Sequence, residues 1–309
     1  MITSLFRKST PLNYSIVIIG VLFFFFLYQI KHVTSDNSLQ NLIQKCIILG
    51  TIFASLFVTN FIIKKNGLSK DSAYTVLFYL LFLLFFPSVL DNFNLIISNF
   101  CILLSLRRLL SLQSLKLPKE KIFDASLWVF IASLFHFWSI LFIIVVFISI
   151  LFHVARDYRN WFLPFIAFFT TVMIFVSASL FFNKNWIGLL LNQIKINLKL
   201  DYFTNNYQNL ALSIYATISL FFIASLLLSM SNRPLILHPT YKKIISAFVI
   251  GVLIYIVSPN KSNDLLIFTI APLAIITTSH IEMAQVKWQQ EVVLSFLILS
   301  SFLVYFFQL

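Results

Sequence analysis

Ten acidic side chains occur among the 309 residues, against 22 lysines and arginines. Four of them, Asp36, Asp91, Asp201 and Asp264, each fall in a different gap between long apolar runs. A carboxylate held at such a boundary and partly withdrawn from water is a stronger base, able to take a proton from a hydroxyl. Asp36 and Asp91 stand first as candidate catalytic bases, because they lie in short connections beside the flanking runs. The plain alternative is that such gaps simply need polar residues. His136 sits among Phe135, Phe137 and Trp138 inside an apolar stretch. Ionisable groups in such settings are often functional, although aromatic neighbours equally suit a structural histidine. Other chemistries have no pattern here. With only five glycines there is no Gly-rich phosphate loop, and H-E-x-x-H, C-x-x-C and G-x-S-x-G are all missing. Neither a metal nor a cofactor is expected. Cys46 and Cys101 lie inside apolar runs and imply no disulfide framework.

The elements that must position these residues are set by composition. Hydrophobic residues make up 60% of the chain and charged residues 10%, where a soluble domain carries about 25% charged residues. A chain of this size has too little interior to hide that much apolar surface, so lipid is the solvent for most of it. The runs are unbroken rather than alternating, which selects helices over a barrel. The expected fold is all-α: one integral membrane domain over 1–309, a polytopic bundle of about nine full spans plus a half-length helical hairpin. The spans cover about 14–30, 44–63, 73–90, 93–110, 162–182, 209–230, 243–257, 264–281 and 291–308. No A-x-A-like site follows the first run, which is therefore read as an uncleaved helix.

The apolar stretch 125–153 is too long for one span and too short for two full ones. Lys119 and Lys121 precede it, and Arg156 and Arg159 follow it. A hairpin turning near His136 keeps both basic ends on one side; one long tilted helix is the alternative. With the hairpin, all but Lys31, Lys45, Lys184, Lys195, Lys199 and Lys261 of the 22 basic residues fall on the side of the N-terminus. The positive-inside rule makes that side cytoplasmic and puts the C-terminus outside. The net charge of +12 is thereby assigned to membrane anchoring rather than to nucleic acid. Between Asn183 and Gln208, Ile187, Leu190, Leu191, Ile194 and Leu198 share one helical face, predicting an amphipathic helix in the outer interface.

Two passages carry a resemblance. The opening Met1-Ile2-Thr3-Ser4-Leu5-Phe6-Arg7-Lys8-Ser9-Thr10-Pro11 and the run Phe123-Asp124-Ala125-Ser126-Leu127-Trp128 through Phe137-Trp138 resemble an uncharacterised multi-pass membrane family of Bacteroidota, over essentially the full chain. The order of basic loop, hairpin and basic loop is more remotely similar to GT-C glycosyltransferases, which move sugars from polyprenyl-phosphate carriers. So is Ser258-Pro259-Asn260-Lys261 running into Ala271-Pro272-Leu273. That likeness implies an inner-membrane protein of the cell envelope with a periplasmic C-terminus. Lys261 would meet the carrier phosphate, helped by Lys195 or Lys199, with His136 as a further substrate contact. Where that family has paired acids in the first outer loop, this chain has Asp36 beside Asn37. Expected partners are membrane lipids, a polyprenyl-phosphate sugar and other inner-membrane proteins. A non-enzymatic subunit or scaffold of an inner-membrane complex is the alternative.

Overall fold

A computed structural model describes residues 2–32, 39–182, 186–198, 206–259, 261–284 and 286–309. Among these, every regular element is helical: α1 (Ile2–Phe6), α2 (Pro11–Lys31), α3 (Leu39–Lys65), α4 (Tyr74–Leu83), α5 (Phe93–Leu110), α6 (Pro118–Phe135), α7 (Ile143–His153), α8 (Arg159–Phe181), α9 (Trp186–Asn192), α10 (Asn206–Leu228), α11 (His238–Val257), α12 (Ile267–Met283) and α13 (Lys287–Gln308). Local sequence sets many of the boundaries. Pro11 and Pro118 open α2 and α6, where a missing N–H has no helical partner to lose. After α3 the chain stops at Gly67, whose φ of 64° lets Leu68 N donate back to Ile63 O at 3.0 Å.

Among the described residues, eight helical stretches are long and apolar enough to cross a membrane, so the chain is a multi-pass membrane protein. The expected span at 73–90 is the main difference from the nine read in sequence. Its α-helix lasts ten residues, and a 3-10 turn, Pro87–Asp91, completes the passage. Pro87 explains the break, because the residue before a proline avoids helical ψ: Phe86 has φ −133° and ψ 69°. Every residue of α4 is buried. Beside it, nearly every residue of α12 is buried, whereas few residues of α8 are. Thus α4 and α12 form the centre and α8 faces outward.

Apolar side chains gain little by leaving lipid for protein, so close packing and hydrogen bonds must join the helices. Tyr305 Oη donates to Phe24 O at 2.6 Å, tying α13 to α2. Thr278 Oγ1 donates to Thr75 Oγ1 at 3.2 Å between α12 and α4. Tyr215 and Thr269 share a hydroxyl contact of 2.6 Å between α10 and α12. Gly251 of α11 permits a close approach to α12: a Cβ there would come within 2.7 Å of Thr269 Cγ2.

The chain reverses at His136, whose backbone is extended (φ −139°, ψ 108°). A 3-10 turn, Phe137–Phe142, leads into α7. Lys119, at the start of α6, pairs with Asp157, beyond the end of α7, at 3.6 Å, so both arms begin and end at one face. Arg108 and Asp124 join α5 to α6 at the same face, 3.0 Å apart. The first arm starts at Pro118, seven residues before the apolar stretch, so α6 is longer than expected at 18 residues, while the second arm, the 3-10 turn and α7, ends at His153 as expected. The amphipathic segment is shorter than expected. Its helix ends at Asn192, and from Lys195 the chain leaves the helix to pair Asn197 N with Val257 O at 3.4 Å.

Candidate functional site

At the end of the bundle opposite the basic loops, four segments meet around a cavity of about 310 Å³. The cap of α5 supplies Asn92 and Asn94, the hairpin tip His136 and Trp138, the turn after α9 Gln193, and the loop after α11 Lys261. The tip is fixed from two sides. Gln193 Oε1 accepts from Phe137 N at 3.1 Å, and Ser139 Oγ donates to His136 O at 2.8 Å. Two wall atoms, His136 Nε2 and Trp138 Nε1, are buried with no protein partner. Unmatched polar nitrogens on a cavity wall cost free energy unless a water or ligand meets them.

Two carboxylates gather beside this cavity. Asp91 ends the 3-10 turn that follows α4, is exposed, and accepts from Gln29 Nε2 of α2 at 2.9 Å. Asp264 is buried and accepts from Ser88 Oγ, with Ser262 and Asn92 as further donors. Asp91 lies near enough to act on Asp264 through its charge. Asn92 links the groups, lining the cavity and reaching Asp264. The structure therefore brings Asp91, Lys261 and His136 to one end of the bundle. Lys195 is exposed on the stretch after α9 and does not line the cavity. Asp36, Asp201 and Lys199 lie outside the described residues.

Asp264 did not stand out in sequence beyond being one of four boundary acids. Its signal was local: Lys261 and Ser262 just ahead of it, at the mouth of an apolar run. Gln193 and Trp138 gave none, because each acts only through the packing of the hairpin tip against the turn after α9.

More apolar spaces lie beside the polar cavity. Asn94, Phe135 and Gln193 are shared with a neighbouring space of about 370 Å³, also lined by Trp186 and Phe175. Leu134, Phe175 and Leu190 then join a third space of about 230 Å³ between α6, α8 and α9. Its walls are almost wholly apolar, including Phe130, Phe168, Val172 and Leu191. Among the described residues, no three His, Cys, Asp or Glu are placed to hold a metal ion.

A model described as a family of unknown function (DUF6427) matches residues 4–309, and the chain belongs to that family. No curated protein and no solved structure matches the chain.

Proposed function

We propose that this member of a family of unknown function handles an amphiphilic, phosphate-bearing lipid at the end of its bundle opposite the basic loops. The activity we assign is GT-C-like transfer of a sugar from a polyprenyl-phosphate carrier, in the inner membrane of the cell envelope. One observation carries the reading: a polar cavity holding Lys261 and two unmatched ring nitrogens shares walls with a space that in turn borders an apolar one between α6, α8 and α9. The first isoprene units of the carrier match the apolar part and its phosphate the polar part. Lys261 offers the phosphate a point charge, and His136 and Trp138 offer it polar contacts. An acceptor hydroxyl oxygen would attack the anomeric carbon as the sugar–phosphate C–O bond breaks. Asp91 would take the hydroxyl proton, and polyprenyl phosphate would leave with the bond's electrons. Asp264, held by Ser88, positions the loop that carries Lys261.

The test is direct. Purified protein should bind a short polyprenyl phosphate, and Lys261→Ala should weaken that binding about tenfold, the scale of one lost charge-assisted contact. Asp91→Asn should keep the binding and abolish transfer of a labelled sugar. Binding that ignores both Lys261→Ala and His136→Ala would end the proposal. The second reading, a non-enzymatic subunit of an inner-membrane complex, draws on the aromatic outer face of α8, where Phe162, Phe165 and Phe169 are exposed. It predicts that polar substitutions there release the protein from a larger assembly on native gels while leaving polyprenyl-phosphate binding unchanged.

A further inference from the structure

The opposite end of the bundle carries a second cavity, of about 370 Å³, lined by Lys65, Arg108 and Lys121 together with Asn66, Gln113 and Ser114. It lies between the end of α3, the end of α5 and the first turn of α6. Positive charge is concentrated there with little to oppose it. Arg108 pairs with Asp124 at 3.0 Å, but Lys65, Arg108 and Lys116 all repel Lys121. The Lys121 ammonium is nonetheless fixed, donating to Ser111 O and to Ser114 Oγ at 2.8 Å each. A held cation among like charges favours an anion beside it.

The rim of this cavity is apolar and outward-facing. Leu115 and Leu117 are 59% and 64% exposed, one on each side of Lys116. Both have left-handed backbone, φ 53° and 48°, which leucine rarely adopts. Gln113 Nε2 donates to Ile236 O at 3.0 Å, bringing in the exposed pair Leu235 and Ile236. Four exposed aliphatic side chains around a cationic pocket, at the ends of membrane-spanning helices, match the boundary between headgroups and acyl chains.

We propose that the pocket of Lys65, Arg108 and Lys121 holds the phosphate of an anionic phospholipid headgroup, with Leu115 and Leu117 set among its acyl chains. The site is separate from the cavity at His136 and takes a structural lipid rather than a substrate. A free phosphate ion shares the headgroup's chemistry but has no use for the leucine rim.

Native mass spectrometry of the detergent-purified full chain, titrated with phosphatidylglycerol or phosphatidylcholine, tests this. Phosphatidylglycerol should remain bound where phosphatidylcholine does not. Lys65→Gln with Lys121→Gln should lower retention of phosphatidylglycerol at least tenfold. Lys8→Gln with Lys287→Gln, which removes the same charge elsewhere on this face, should leave it unchanged. Because Lys121 also holds its own loop, Lys65→Gln alone is measured too, and should lower retention in the same direction. Leu115→Ser with Leu117→Ser should lower retention of the lipid and leave binding of inorganic phosphate unaltered. Equal losses in the pocket and control variants, or no loss in either, would overturn the site. Displacement of the lipid by millimolar inorganic phosphate would make it a soluble-anion site and overturn the lipid assignment.

Discussion

His136 joins the two arms of the hairpin and faces the candidate site. Lys243, at the other end of the bundle, gives a prediction for a single residue. It is fully buried, donates to Leu109 O at 2.8 Å and lies 3.1 Å from His153 Nε2, so it links α11 to α5 and α7. Lys243→Ala removes both the donor and its packing volume and should cost about 2–4 kcal/mol, read by thermal unfolding in detergent. Lys243→Met fills the space and should recover about half of that in the same melts.

Among the elements, α11 and α12 approach so closely at Gly251 that a methyl group would strike Thr269 and come within 3.2 Å of the Phe268 backbone carbon. Gly251→Ala should cost about 1–3 kcal/mol by overpacking. Because Thr269 also bonds Tyr215, the same change should loosen α10, read as faster amide exchange in its middle turns; exchange unchanged in α10 would contradict this coupling. Most spans could be read from sequence because apolar runs ended in charged or proline-containing loops. The hairpin was legible because Lys119, Lys121, Arg156 and Arg159 bracket a run of awkward length. The shortness of α4 was hidden, because its apolar run continues to Phe86 and hydropathy treats a protein-buried leucine and a lipid-facing one alike. The end of α9 was hidden for a related reason: Ile194 and Leu198 extend the apolar stripe whether or not the helix continues. Asp264 and Ser88, 176 residues apart in the chain, meet only through the packing of α12 against α4 and its turn.

The whole molecule is a charge-asymmetric body. Arg7, Lys64, Arg107, Arg108, Lys119, Lys121 and Arg159 gather at one end, and the candidate site lies at the other. With the basic end taken as cytoplasmic, reporters active only in the cytoplasm should be active when fused at Pro118 and Asn232 and silent at Asn197. Activity at Asn197 would invert the molecule and place the polar cavity on the cytoplasmic side. Under the two proposals made above, in either orientation, the ends take different lipids: a carrier to be consumed at the hairpin tip, and a resident headgroup at the basic loops.

Burial of α4 on all sides also sets a problem of timing during synthesis. A ten-residue helix is too short to span a bilayer securely as an α-helix, and its partner α12 has yet to be made when it emerges. The contact between Thr75 and Thr278 bridges 203 residues, which a ribosome needs about 10–40 s to translate. Throughout that interval α4 must rest against lipid, the insertion machinery or the provisional company of α2, α3 and α5. Maturation therefore waits on the last quarter of the chain, and truncation before α12 should yield a product cleared by membrane proteases rather than a smaller stable protein.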